Sequence, residues 1–126
     1  MIYGIGTDLL RIDRVERLWA RYGEHFADKI LMPEEQAQFA SARRPGNFLA
    51  KAFAAKEAFV KALGTGFTGV AYRDAGVVAL PSGKPTLVFS PAMRLRLDAL
   101  GIVGGHVSLS DEDGRVMAFV VLESGR

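Results

Sequence analysis

The sequence predicts an α+β fold in which a small, mostly antiparallel sheet packs against one long central helix. An almost entirely apolar stretch that precedes Gly64 predicts the helix. Two hairpin signals in the second half of the chain and an apolar segment at its start predict the sheet. At 126 residues the chain has the length of one domain, and we expect residues 1–126 to form it.

The first predicted element is a buried strand over residues 2–10, where small and apolar residues alternate. Asp8 stands near its end and is either a turn carboxylate or a functional group. A helix follows, for which Asp13 and Glu16 have the spacing of a capping box and Gly23 marks the end. Its predicted core face consists of Val15, Leu18, Trp19 and Tyr22.

Three arginines, Arg14, Arg17 and Arg21, line up on the opposite side of this helix. Such a stripe is either a solvated face or a dock for an acidic partner, because arginine offers a planar donor fork to carboxylates. Residues 24–45 then predict short helical pieces, and Pro33 suits the first position of one of them.

The central helix is predicted from Asn47, a suitable N-cap, to the stop at Gly64. It is apolar nearly all round, which is typical of a buried helix, yet Lys56, Glu57 and Lys61 lie inside it. One interpretation is an exposed i,i+4 ion pair between Glu57 and Lys61. The other is a metal-binding carboxylate beside a phosphate-binding lysine.

The second half predicts two hairpins separated by a helix. Strands over 75–80 and 86–89 flank a turn at 81–85, and Ser90 with Pro91 begins a helix that ends at Gly101. Strands over 102–110 and 116–122 flank a turn at 111–114. The last strand is apolar on both faces, which predicts a central position in the sheet. His106 shares one strand face with two serines, Ser108 and Ser110.

Composition excludes several classes. The chain has no cysteine, so disulfides and thiolate metal sites are excluded. We expect no transmembrane helix and no signal peptide, and we expect a cytoplasmic location. A net charge of +2 does not indicate nucleic-acid binding.

Three blocks together resemble a known family. They are residues 4–10 (GIGTDLL), residues 53–66 (FAAKEAFVKALGTG) and residues 106–110 (HVSLS). In this order and spacing they closely resemble the holo-[acyl-carrier-protein] synthases, the small bacterial 4′-phosphopantetheinyl transferases. The shorter Gly83-Lys84-Pro85 matches as well. The chain departs from the family at Ala52, preceded by Lys51, where members often have arginine.

The resemblance implies the 4′-phosphopantetheinyl transferase fold and transfer of phosphopantetheine from coenzyme A to a serine of apo acyl carrier protein, for fatty acid biosynthesis. It implies Asp8 and Glu57 as Mg²⁺ ligands, with Lys61 as the phosphate-contacting catalytic residue. Glu57 and a metal-bound water both remain candidates for the proton acceptor. The positions assigned to coenzyme binding are Lys56, Lys61, Gly64, Thr65, Gly66, Lys84, Pro85 and His106.

Partners and assembly follow from the same resemblance. We expect a homotrimer with active sites between subunits, and an acidic carrier protein docking on Arg14, Arg17 and Arg21. No nucleic-acid or membrane partner is expected. Two alternatives stay open: a non-catalytic module that binds carrier proteins, and another Mg²⁺-dependent phosphotransferase acting on nucleotides.

Overall fold

The computed structural model describes residues 1–125, and it confirms the α+β fold. The strands are β1 (Ile2–Arg11), β2 (Ala75–Ala79), β3 (Pro85–Phe89), β4 (Ile102–Glu112) and β5 (Arg115–Ser124). The helices are α1 (Ile12–Tyr22), α2 (Glu24–Ile30), α3 (Pro33–Phe39), α4 (Pro45–Leu63) and α5 (Pro91–Ala99), with a short 3₁₀ turn at Tyr72–Asp74. Within residues 1–125, no helix combines the length and the apolar character that crossing a bilayer requires.

The strands form two antiparallel sheets rather than one. The larger has the order β1-β5-β4, so the prediction that the last strand is central is confirmed. The smaller pairs β2 with β3. One face of the larger sheet packs on α4 through buried β5 residues such as Val116 and Val120, and the other face is open. The open face carries exposed apolar side chains, including Ile5, Leu9 and Met117.

Helix α4 lies directly on β1 because two glycines leave room for it. A Cβ added at Gly4 would come within 2.0 Å of the carbonyl oxygen of Ala62, and one at Gly6 within 2.0 Å of that of Ala58. Any larger residue would push the helix away from the strand. The next residue on this face of β1 is Asp8, since side chains alternate along a strand. The close approach therefore brings Asp8 to the last two turns of α4.

Two predicted helix starts were wrong. Helix α4 begins at Pro45, two residues before the expected cap Asn47, because the fixed φ of proline already suits the first helical position. Helix α1 begins at Ile12 with no side-chain cap, so the capping box of Asp13 and Glu16 does not form. Strand β1 runs straight into α1, and the N–H of Ile12 donates to the carbonyl of Gly114 instead.

The predicted core face of α1 is confirmed only in part. Val15 is buried and Trp19 packs against the core, but Leu18 and Tyr22 are 39% and 48% exposed. The Gly23 stop is confirmed, as is the N-cap at Ser90, whose hydroxyl accepts from the N–H of Met93.

The last hairpin also differs from the sequence prediction. Its strands are longer than expected, and Asp113 and Gly114 alone make the turn, with φ of 58° and 74°. Two-residue turns with positive φ match the twist of the paired strands.

Candidate active site

Asp8, Glu57 and Lys61 converge where β1 passes the end of α4. The sequence predicted Asp8 near the end of a strand, but it lies inside β1 and pairs with Ala118 of β5. Its side chain is 16% exposed and Oδ1 lies 3.4 Å from Nζ of Lys61. Lys61 also donates to the carbonyl oxygen of Thr7 at 2.9 Å. A mostly buried carboxylate is thus held beside a half-exposed ammonium.

The charge of Glu57 is disfavoured at this place. Burial, and next the negative charge of Asp8, raise the pKa of Glu57, while Lys61 lowers it. Two carboxylates that repel each other in a partly buried site favour a bound cation. No group of three or more His, Cys, Asp or Glu residues that could hold a metal occurs within residues 1–125. These two carboxylates would therefore need further ligands from elsewhere.

The ion-pair interpretation of the central helix does not describe this geometry. Lys61 has its ion-pair contact with Asp8 rather than with Glu57, and it reaches across to the backbone of β1. The lysine therefore belongs to a cluster between strand and helix, and not to an isolated strip on α4.

A shallow pocket opens at the acidic pair, and Arg14 lies on its wall with the apolar side chains of Leu18 and Phe53. The other two arginines of the predicted stripe contact side chains of α1 instead. Arg17 lies 3.7 Å from Asp13, and the guanidinium of Arg21 sits 5.3 Å above the ring of Tyr22. Arg14 is the member of the stripe that lines this pocket.

The glycine turn after α4 is confirmed as the helix stop. Gly64 and Gly66 have φ of 89° and 57°, which favour glycine. The backbone N–H groups of Gly64, Thr65 and Gly66 all donate to the carbonyl of Val60. These amides close the helix end, so they are not free donors for a phosphate.

The expected coenzyme contact of Lys56 is corrected by the structure. Its side chain is 1% exposed, and its ammonium donates to Oε1 of Glu35 and to the carbonyl of Ala75, each at 2.6 Å. Burial lowers the pKa of Lys56, an effect that the carboxylate of Glu35 opposes. A lysine enclosed in this way cannot reach a phosphate, so its role is internal. The sequence placed Lys56 in the apolar stripe but did not reveal its partner.

Three other predicted residues do not join the acidic pair within one chain. Lys84 is exposed in the β2–β3 turn, and Pro85 lines a groove that also includes Ala52 and Leu109. His106 pairs across the sheet with Val121 on the open face, where it contacts Glu123. Asp8 is on the opposite face of the same sheet.

Ala52, where family members often have arginine, is buried beside the groove that Pro85 lines. Ala52 is 1% exposed and Lys51 lies 3.7 Å from Asp111. Lys51 is thus already paired within the chain, and the neighbouring alanine leaves a small apolar wall in the groove beside Pro85.

Sequence reasoning missed an aromatic group beside the site. Tyr72 stacks on Phe53 at 5.6 Å between centroids and contacts Phe67 at 4.4 Å. Burial, and next the negative charge of Glu57, raise the pKa of Tyr72, so its phenol is neutral near pH 7. Phe67 belongs to the loop after the glycine turn, and no local pattern in the sequence indicated that this loop folds back over α4.

Comparison with known proteins shows what nearly the whole chain is similar to. The model of the family described as ACPS, the 4′-phosphopantetheinyl transferase superfamily, matches residues 4–117. A holo-[acyl-carrier-protein] synthase of Thiobacillus denitrificans is 52% identical over 124 residues, which cover 98% of this chain and 95% of that protein. The crystal structure of the Neisseria meningitidis synthase superposes with a TM-score of 0.93 at 48% identity, covering 98% of this chain and 100% of that one. The Helicobacter pylori synthase in complex with coenzyme A gives 0.82 at 28% identity, covering 94% and 99%.

Proposed function

Because the chain belongs to the 4′-phosphopantetheinyl transferase superfamily, among the holo-[acyl-carrier-protein] synthases, we propose that it moves 4′-phosphopantetheine from coenzyme A to a serine of apo acyl carrier protein. The second product is adenosine 3′,5′-bisphosphate, and the process served is fatty acid biosynthesis. The convergence of Asp8, Glu57 and Lys61 carries the proposal. Two carboxylates, which are oxygen ligands, line one pocket, and the ammonium of Lys61 lies beside one of them.

Asp8 and Glu57 are assigned as the ligands of Mg²⁺. Their chemistry fits, because Mg²⁺ prefers oxygen ligands and is commonly held by one or two carboxylates, with phosphate oxygens and water completing its shell. Burial, and next the repulsion from Asp8, raise the pKa of Glu57, and a bound cation would favour its charged form. When bound there, Mg²⁺ supplies neutralisation of the pyrophosphate charge.

Lys61 acts on the transferred group. The serine hydroxyl oxygen of the carrier forms the new bond to the phosphorus that bears pantetheine, and the bond from that phosphorus to the bisphosphate leaving group breaks. The hydroxyl proton passes to a base, for which Glu57 is a candidate. Negative charge on the phosphoryl oxygens is stabilised by a cation fixed in advance. The bonds of Lys61 to Thr7 and Asp8 fix it in this way, while 54% of its side chain remains exposed to a ligand.

We further propose that the carrier docks on the face of α1 that carries Arg14, Arg17 and Arg21. Arg14 lines the pocket at the acidic pair, so an acidic partner bound there would present its serine near Glu57. A cytoplasmic location stays a prediction from the sequence.

The proposed assembly is a homotrimer with sites shared between subunits. The open sheet face exposes Ile5 and Leu9, of which 58% and 65% are accessible, and a second copy would cover them. His106 lies on that face, so it can assist a coenzyme only at a site completed by a neighbour. Light scattering is expected to give a trimer, and a monomer that is fully active when dilute would contradict this.

One assay tests the function. The protein is incubated with coenzyme A, Mg²⁺ and apo carrier protein, and the carrier is weighed by mass spectrometry. We expect the carrier to gain one phosphopantetheine, and the gain to disappear with chelator. Binding of the carrier without any mass gain would favour a non-catalytic module, and turnover of nucleotides without a carrier would favour another phosphotransferase.

A further inference from the structure

The open edge of β2 is held by side chains of two helices. Among residues 1–125, β2 pairs with β3 alone, so its other edge has no strand partner there. The side-chain amide of Gln38 fills that edge at Ala79, accepting from its N–H at 2.9 Å and donating to its carbonyl at 2.8 Å. A neighbouring strand would form the same pair of hydrogen bonds with Ala79. It fixes both the distance and the orientation of the strand end.

The same edge is held further back by the buried ion pair. Oε2 of Glu35 accepts from the N–H of Val77 at 3.0 Å, and Lys56 donates to the carbonyl of Ala75. Glu35 is 0% exposed and also accepts from the N–H of Met32. Contacts therefore occur at every second residue of β2, which is the period at which one strand edge presents its backbone groups.

This arrangement links the two parts of the proposed coenzyme site. Lys56 precedes Glu57 in α4, so the helix that presents Glu57 to Asp8 also holds β2 on its other side. At the far end, Ala79 is the cross-strand partner of Pro85. A two-stranded hairpin is only marginally stable by itself, so its position depends on such contacts.

We propose that Glu35, Gln38 and Lys56 are positioning residues that lock the β2–β3 hairpin onto α4. They keep Lys84 and Pro85 at a fixed distance from the metal and phosphate groups on α4. Glu35 and Lys56 are buried, and Gln38 acts through its two hydrogen bonds to Ala79. The inference rests on the proposed function only in assigning Lys84 and Pro85 to coenzyme A.

The test uses Gln38→Ala in the full-length protein. Gln38 forms its bonds at an exposed position, so its loss should leave the fold intact. The matched control is Gln36→Ala, the same substitution on the same helix, where the side chain bonds Leu31 instead of β2. Amide hydrogen exchange at Ala79, the Kd of coenzyme A with Mg²⁺ by calorimetry, and steady-state kinetics are measured for all three proteins.

We expect Gln38→Ala to speed exchange at Ala79 several-fold and to raise both the Kd and the KM of coenzyme A several-fold. The kcat and the KM of the carrier should stay within about twofold, and Gln36→Ala should match wild type. Unchanged exchange would overturn the lock, and faster exchange with unchanged coenzyme affinity would overturn its positioning role. If wild type bound no coenzyme A, the proposed function would fail, while the exchange experiment would still decide whether the lock exists.

Discussion

Lys61 and Asp8 are 53 residues apart in the chain, yet Nζ of the lysine lies 3.4 Å from Oδ1 of the carboxylate. The bond of Lys61 to the carbonyl of Thr7 holds the ammonium over β1. The pair is therefore a fixed feature of the contact between strand and helix. It places a cation beside a carboxylate that lines the pocket, so a metal and a phosphate would each find a partner there.

The first prediction concerns this cation. Replacing Lys61 by Ala removes the charge that stabilises the transferred phosphoryl group, and kcat should fall by about 10²–10³-fold, as when a preorganised donor is lost. Thermal unfolding should change little, since the side chain is half exposed. Wild-type turnover in this variant, measured by carrier mass, would remove Lys61 from the mechanism.

A second prediction concerns the carboxylates. Asp8→Asn and Glu57→Gln keep the shape of each side chain but weaken a site for a hard cation. Each variant should lose most of its turnover and require more Mg²⁺ for what remains, as shown by titrating Mg²⁺ at saturating coenzyme A. Circular dichroism serves as the control for folding. Near-normal activity of either variant at saturating Mg²⁺ would refute the metal assignment.

The third prediction concerns the buried ion pair. Lys56→Met leaves the carboxylate of Glu35 buried without its cation, and breaking such a pair costs about 3–5 kcal/mol of unfolding free energy. The double variant Glu35→Gln/Lys56→Met removes both charges and should be more stable than Lys56→Met alone. Urea unfolding at one protein concentration measures both, and a double variant no more stable than the single one would show that charge balance is unimportant here.

A fourth prediction concerns the contact of β1 with α4. Gly6→Ala places a Cβ 2.0 Å from the backbone oxygen of Ala58, and overpacking of this kind costs at least about 1–3 kcal/mol. The matched control is Gly104→Ala, where a Cβ would meet no atom of the described chain within 4 Å. Turnover should fall with stability for Gly6→Ala, because Asp8 would move relative to Glu57. Equal stability of the two variants in urea would contradict the close approach.

The fifth prediction concerns the carrier. Charge reversal at Arg14 or Arg21 should raise the KM of the carrier and leave the KM of coenzyme A nearly unchanged, with the larger effect at Arg14 because it lines the pocket. Wild-type kcat/KM should fall as salt rises, since screening shortens to about 8 Å at physiological ionic strength, and the variants should respond less. Arg94→Glu on α5 is the control. An unchanged carrier KM and salt slope in the double reversal would make the stripe a solvated face.

The fold class, the end of α4 at Gly64 and the central place of β5 could all be predicted from the sequence. These depend on local patterns: an apolar helix, a glycine that takes positive φ, and a strand apolar on both faces. The residues Asp8, Glu57 and Lys61 could likewise be selected from their blocks, because the resemblance assigns them together. Helix starts were less predictable, since Pro45 and the chain entering from β1 overrode the side-chain caps expected from spacing.

The contacts of each charged side chain of α4, by contrast, depend on how the helix packs against distant parts of the chain. Lys56 and Glu57 are neighbours in sequence, but one points to Glu35 of α3 and the other lies near Asp8 of β1. The partner of Lys56, Glu35, is 21 residues away in the chain, and the partner of Lys61, Asp8, is 53 residues away. No local periodicity encodes such contacts. The sequence also did not reveal that His106 and Asp8 lie on opposite faces of the sheet. Which face of a strand packs on the helix is settled only when the strand is paired.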